Sequence, residues 1–171
     1  KKALKQELKC IKDRILVMVG GNHERRTKKH TDENPLEDVA EYLGVPYAED
    51  DCFIKLSFGK KCNGKRVAYC IYLTHGAGGG KRPGSALNNI EALSMGIYSD
   101  IYIVGHTHKK TAHKAKYLMP DLKNNIVREI DMLYVISSSW QNFGGYAKQK
   151  MMRPSALGRV PIFLSGKEKY A

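Results

Sequence analysis

Acidic side chains are in short supply: 17 Asp and Glu face 29 Lys and Arg, a formal charge of +12. Long hydrophobic runs are missing as well, and none approaches the roughly 20 apolar residues that a membrane-spanning helix needs. The Lys-rich start leads into a mixed helical pattern, with no signal-peptide profile. With only 16 Gly and 42% hydrophobic residues, the composition excludes collagen-like and disordered classes and is enough for a packed core. Cysteine is limited to Cys10, Cys52, Cys62 and Cys70, without a C-x-x-C pair or regular spacing. A disulfide framework is therefore not indicated, and the expectation is a reduced, cytoplasmic protein with no membrane partner.

The few acids are bunched. Asp32, Glu33, Glu37, Asp38, Glu41, Glu49, Asp50 and Asp51 fall in one stretch that holds no Lys or Arg. The rest of the chain is strongly basic, with clusters at Arg25–Lys29, at Lys109–Lys116 and from Lys148 onward. Such a balance suits anionic partners, phosphate esters and nucleic acid among them, although a solvated basic face has the same composition.

Local patterns give a mixed order of elements. Ala3, Leu4, Leu8 and Ile11 lie at helical spacing. Ile15–Val19 reads as a strand buried on both faces and ending in Gly20-Gly21. A helix is predicted after Asn34, with Asn34 as cap, Pro35 in the first turn, Glu37 at capping-box spacing and Gly44 as the stop. Phe53–Phe58 and Val67–Thr74 flank Cys62-Asn63-Gly64-Lys65, a hairpin signal. A helix from about Ser85 to Met95 stops at Gly96, and Ile101–Val104 is a short apolar strand. Weaker strand signals follow at Thr111–Leu118, Ile126–Ile130, Met132–Ser137 and Ile162–Leu164. The fold class is α/β, a single domain with at least one mixed sheet and outer helices.

Three apolar runs end in the same way. Ile15–Val19 leads into Gly20-Gly21-Asn22-His23-Glu24, Ile71–Thr74 into His75-Gly76, and Ile101–Val104 into Gly105-His106-Thr107-His108. Ligands of α/β sheets bind beyond the carboxyl ends of strands. Imidazole is a common metal ligand, and an Asn side-chain oxygen can share its coordination shell. A single strand-end histidine is usually structural, but three such endings together point to metal coordination. Since alternate residues of an extended chain face opposite ways, His106 and His108 serve one site only if the chain turns after Val104, and Gly105 permits that turn.

Gly21-Asn22-His23-Glu24, Thr74-His75-Gly76 and Gly105-His106-Thr107-His108 resemble, in order and spacing, the third, fourth and fifth motif blocks of the calcineurin-like metallophosphoesterases. The resemblance covers about residues 10–110. It implies an αββα sandwich with mixed sheets and a two-metal centre of Mn, Fe or Zn that hydrolyses phosphate esters. Carried over by position, Asn22, His75 and His106 resemble ligands of one metal and His108 a ligand of the other. His23 resembles the catalytic histidine that contacts the phosphate and protonates the leaving oxygen, and Glu24 takes the place of the acid that orients it. A metal-held hydroxide is the implied nucleophile.

Two blocks are missing. The family's D-x-H and Gly-Asp motifs, which supply its carboxylate ligands, occur nowhere in this sequence. The remaining ligands are neutral, whereas two dications about 3.5–4 Å apart need anionic ligands between them. The expectation is a chain that holds at most one metal, weakly, and is inactive alone. Together with the start at Lys1, this reads as the C-terminal portion of a metallophosphoesterase domain.

Arg25, directly after the His23 turn, and Lys81 and Arg82, close behind His75, are candidate contacts for the substrate phosphate. With the charge of +12, a phosphodiesterase or nuclease is the leading expectation. A phosphomonoesterase or protein phosphatase of the same family, and a non-catalytic nucleic-acid-binding module, are the alternatives. The sole tryptophan, Trp140, lies with Phe143 in a loop-like stretch, where packing in the core or against a second copy outweighs base stacking as the expected role.

Overall fold

A computed structural model describes residues 1–59, 66–78, 83–140, 143–149, 154 and 156–169. The Cys62–Lys65 turn, Lys81 and Arg82 lie outside the described residues. The chain is a mixed α/β protein that divides into two compact units, one of Lys1–Ile54 with Leu73–His75, the other of Lys55–Tyr72 with Gly76–Ala171.

The first unit begins with helix α1 (Lys2–Lys9) and a short 3-10 turn at Lys12–Arg14. Strand β1 is only Met18–Val19 and pairs in parallel with β2 (Tyr47–Ala48). The apolar run before it does not extend the strand, and Leu16 stands 53% exposed. Helix α2 (Asn22–Thr31) follows at once, then α3 (Pro35–Leu43). The caps of α3 match expectation: Asn34 Oδ1 accepts from the Glu37 amide at 3.3 Å, Pro35 opens the first turn, and Gly44 closes the helix at φ 68°. Buried Asn34 also donates to Tyr47 Oη at 2.8 Å, so the cap is tied to β2. Met18, Val39, Ala40 and Leu43 form the core here, flanked by Leu8, Ile15, Leu36, Val45 and Tyr47.

The larger sheet has the order β3-β4-β5-β7-β6, with β3 Asp51–Phe58, β4 Val67–Thr74, β5 Ile101–Val104, β6 Thr111–Asp121 and β7 Ile126–Ile136. It is mixed: β5 runs parallel to β7, and β6 antiparallel to it. β7 is one continuous strand because Asp131, which interrupts the apolar pattern, keeps its register opposite Lys116. Residues 162–164 are not in a strand. Helix α4 (Pro83–Ser94) covers one face through Ala86 and Ile90, which pack on Tyr72, Tyr102, Val104, Met132, Tyr134 and Ile136. A final short helix, α5 (Gly145–Gln149), begins at the end of the stretch around Trp140 and Phe143 that reads as a loop from sequence.

A tyrosine cluster dominates this core. Tyr134 is fully buried; its hydroxyl lies 2.9 Å from Ser94 Oγ and 3.1 Å from Tyr117 Oη. Burial pushes its phenol up to about 12. An unfolded tyrosine ionises near 10, so the contribution of Tyr134 is present below about pH 10 and lost as pH rises through its folded value. Denaturant titrations are expected to show the wild type losing about 2 kcal/mol more than Tyr134→Phe between pH 10 and 12. Equal losses would mean that the phenol is not protected by the fold.

Candidate metal and phosphate site

The first cluster is assembled at the end of β1 and the end of β4. Gly20 and Gly21 carry the chain from β1 into α2; Gly20 N–H donates to Ala48 O at 2.8 Å, which anchors the turn to β2. Asn22 and His23 then occupy the first turn of α2. His75 follows β4, whose last residue Thr74 donates through its hydroxyl to Asp50 O at 3.3 Å. The result brings together residues 53 apart in sequence: Asn22 Oδ1 and His75 Nε2 lie 3.0 Å apart, both half-buried.

Glycine is required beside them for space. A Cβ at Gly21 would stand 2.9 Å from His75 Cε1 and 2.9 Å from Glu24 Oε2. Glu24 is used at this point too: its carboxylate accepts from Gly21 N–H at 3.0 Å. Gly21 offers no side-chain oxygen to α2, and Glu24 satisfies one backbone donor that would otherwise lack a partner. Among the described residues, Glu24 therefore fixes the start of the helix and does not hold the His23 ring. His23 is exposed.

The expected substrate cation Arg25 is engaged. Its guanidinium pairs with Asp50 at 2.9 Å, and one turn on, Lys28 pairs with Glu49 at 2.9 Å. The acidic stretch thus covers one side of α2, while Arg26 and Lys29 have no ion pair among the described residues. Both pairs are about half-exposed, so each contributes roughly 0–1 kcal/mol and can be exchanged for another anion.

The second cluster belongs to the other unit and follows β5. His106 and His108 are half-buried and both adopt left-handed backbone, at φ 62° and 55°. The turn that the alternation argument requires is thus made by the histidines themselves and not by positive φ at Gly105. Non-glycine residues in this region cost of order 1–3 kcal/mol each and gather at functional sites. Between them, Thr107 Oγ1 is buried without a hydrogen-bond partner, although Thr107 N–H reaches Gly105 O at 2.7 Å. Gly76, at φ 77°, is tight against Val104 just before this turn.

As metal donors, Asn22 and His75 are right in type, an amide oxygen and an imidazole nitrogen on one edge. They fall short in number and charge. Among the described residues no group of three or more His, Cys, Asp or Glu gathers to hold a metal ion. No helix among the described residues is long and apolar enough to cross a membrane. No family model, no curated protein and no solved structure matches this chain.

Proposed function

We propose that this chain carries the histidine-rich part of a calcineurin-like metallophosphoesterase centre, in an αββα sandwich, and serves a metal-dependent hydrolase of phosphodiesters such as nucleic acid. The observation that best supports this reading is the 3.0 Å approach of Asn22 Oδ1 to His75 Nε2 directly beside His23. The contact is a hydrogen bond in this structure, and an amide oxygen and an imidazole nitrogen at this separation also suit one edge of a coordination shell. The strained pair His106 and His108 around a buried, unpartnered hydroxyl is a second support, in the other unit.

Two divalent ions, if bound in the intact centre with Asn22, His75 and His106 as ligands of one and His108 of the other, would supply charge neutralisation at the phosphoryl group and activate the attacking water. The D-x-H and Gly-Asp blocks that would supply carboxylate ligands do not occur in these 171 residues. This chain's own residues position and donate. Asn22 and His75 present two neutral donors on one edge, and the amide N–H groups at the start of α2 favour an anion. His23 is exposed in the first turn; in this reading it would contact a phosphate oxygen and give its proton to the leaving oxygen. Arg25 exchanges Asp50 for the substrate. The charge of +12 favours a polymer over a small monoester. It also supports the second reading, a non-catalytic nucleic-acid-binding module, which salt-sensitive binding without turnover would select.

Titration of this chain with Mn²⁺, followed by electron paramagnetic resonance, tests the reading. At most one weak site is expected, with affinity reduced about tenfold or more in Asn22→Ala and His75→Ala. Gly21→Ala removes no donor but forces the His75 ring away, and a loss of the same order is expected. Unchanged Mn²⁺ binding in all three variants would contradict the site.

A further inference from the structure

The sole tryptophan is outside the core. Trp140 is 79% exposed, just beyond the end of β7, and Phe143 nearby in sequence is 46% exposed. Neither the fold nor the site above uses them. Exposure here is built and not incidental. Ser139 and Leu157 form a parallel β-bridge, Gly158 N–H donates to Ser139 O at 3.3 Å, and Ser138 Oγ bonds to Ala156 O. The backbone on both sides of this bridge is thereby fixed, with Trp140 next along one segment and exposed Arg159 two residues beyond Leu157 on the other. Lys148, in α5, holds its ammonium 5.9 Å from the centre of the Phe143 ring.

Charge identifies the occupant. From Met132 to the C-terminus the only carboxylate side chain is Glu168, against Lys148, Lys150, Arg153, Arg159, Lys167 and Lys169. Lys169 pairs with Asp100, whereas Lys148, Arg159 and Lys167 have no ion pair among the described residues; exposed aromatic rings with such cations in the same stretch are complementary to a ligand that combines flat π-faces with negative charge. A duplex hides its base faces; a single strand offers them at every nucleotide. We infer that Trp140, with Phe143, Lys148 and Arg159, forms a stacking platform for single-stranded nucleic acid. Successive bases stack on the rings while the two cations contact the backbone. This binding needs no metal and stands whether or not the chain contributes to hydrolysis.

Because Trp140 is the only tryptophan beside 10 tyrosines, fluorescence excited to the red of tyrosine absorption reports on this position alone. The test titrates the full chain, in chelator and low salt, with a 15-nucleotide oligothymidylate, the matching duplex, and anionic phospholipid vesicles. Saturable quenching by the single strand, reversed by NaCl, is expected, with weaker quenching by the duplex. By anisotropy of a labelled oligonucleotide, Trp140→Ala is expected to weaken binding about 5- to 150-fold. Lys148→Ala and Arg159→Ala are expected to reduce its salt dependence. Circular dichroism of Trp140→Ala should be unchanged, since so exposed a ring supports little of the fold. Binding with unquenched fluorescence and unchanged affinity in Trp140→Ala would overturn the proposal, as would equal quenching by the duplex or no binding. A blue shift produced by vesicles alone, or by raising the protein concentration alone, would assign the face to a membrane or a second copy and overturn it too.

Discussion

His23→Ala is expected to lower phosphodiester turnover by about 10²–10⁴-fold, the usual worth of a positioned general acid. The assay uses the gene product that encompasses this chain, loaded with Mn²⁺. His23 is exposed in the first turn of α2, and none of the residues of that helix is buried, so removing its ring disturbs no packing. Its backbone carbonyl still accepts from Thr27 Oγ1 at 3.1 Å, which leaves the helix intact. A specific signature follows from the proposed role. The deficit should shrink for substrates with good leaving groups, such as p-nitrophenolate, because these need little protonation as they depart. Mn²⁺ affinity should be unchanged, since the proposed donors are Asn22 and His75. A His23→Ala protein with wild-type turnover on DNA would remove His23 from the mechanism.

The second large effect is on stability. Tyr102→Ala is expected to cost about 3–5 kcal/mol, a large share of the roughly 5–15 kcal/mol that holds an ordinary domain together. Tyr102 is fully buried. Its ring stacks on Tyr134 at 5.2 Å between centroids and meets Tyr72 edge-on at 6.2 Å. Its hydroxyl donates to Ile97 O at 2.5 Å and accepts from Ser99 N–H at 2.8 Å. Truncation therefore opens a cavity and leaves buried backbone groups without partners. Tyr102→Phe separates the two terms, since it keeps the packing and loses only the hydrogen bonds, at about 1–3 kcal/mol. Urea denaturation reads both. A loss below about 1 kcal/mol for Tyr102→Ala would mean that the β5–β7 layer is not the core of its unit.

Much of the local structure was legible because its signals are local. The boundaries of α3 follow from Asn34, Pro35 and Gly44, and β5 from four apolar residues between a polar pair and a glycine. Helix α2 was not legible, for a physical reason. Its residues Asn22–Thr31 are nearly all polar and none is buried, so no apolar periodicity marks it. Its N-cap is Gly21, without a side-chain oxygen, and the Gly21–Glu24 bond that could have signalled it is a weak pattern in sequence. The run Ile15–Val19 overstates β1, because a strand needs a partner and β2 offers only Tyr47 and Ala48.

The site was legible in part. Three strand ends carrying Asn and His are visible in sequence, and in the structure the side chains of two of them, Asn22 and His75, are hydrogen-bonded. Other features depend on tertiary placement. The acidic stretch folds onto α2, which engages Arg25 with Asp50. His106 and His108 take up the left-handed backbone that was expected to fall to glycine. Trp140, expected to pack in the core or against a second copy, is 79% exposed, which removes the core role, and it follows directly on the Ser139–Leu157 bridge.

The most direct test of the central claim is ester hydrolysis by the gene product that encompasses these residues. It would be assayed on bis-p-nitrophenyl phosphate, p-nitrophenyl phosphate and single-stranded DNA, with Mn²⁺ or with chelator. The account predicts Mn²⁺-dependent turnover that prefers the diesters and is lost in His75→Ala, with none from the 171-residue chain alone. Salt-sensitive DNA binding with no ester hydrolysed under any metal condition would contradict it and leave a nucleic-acid-binding module.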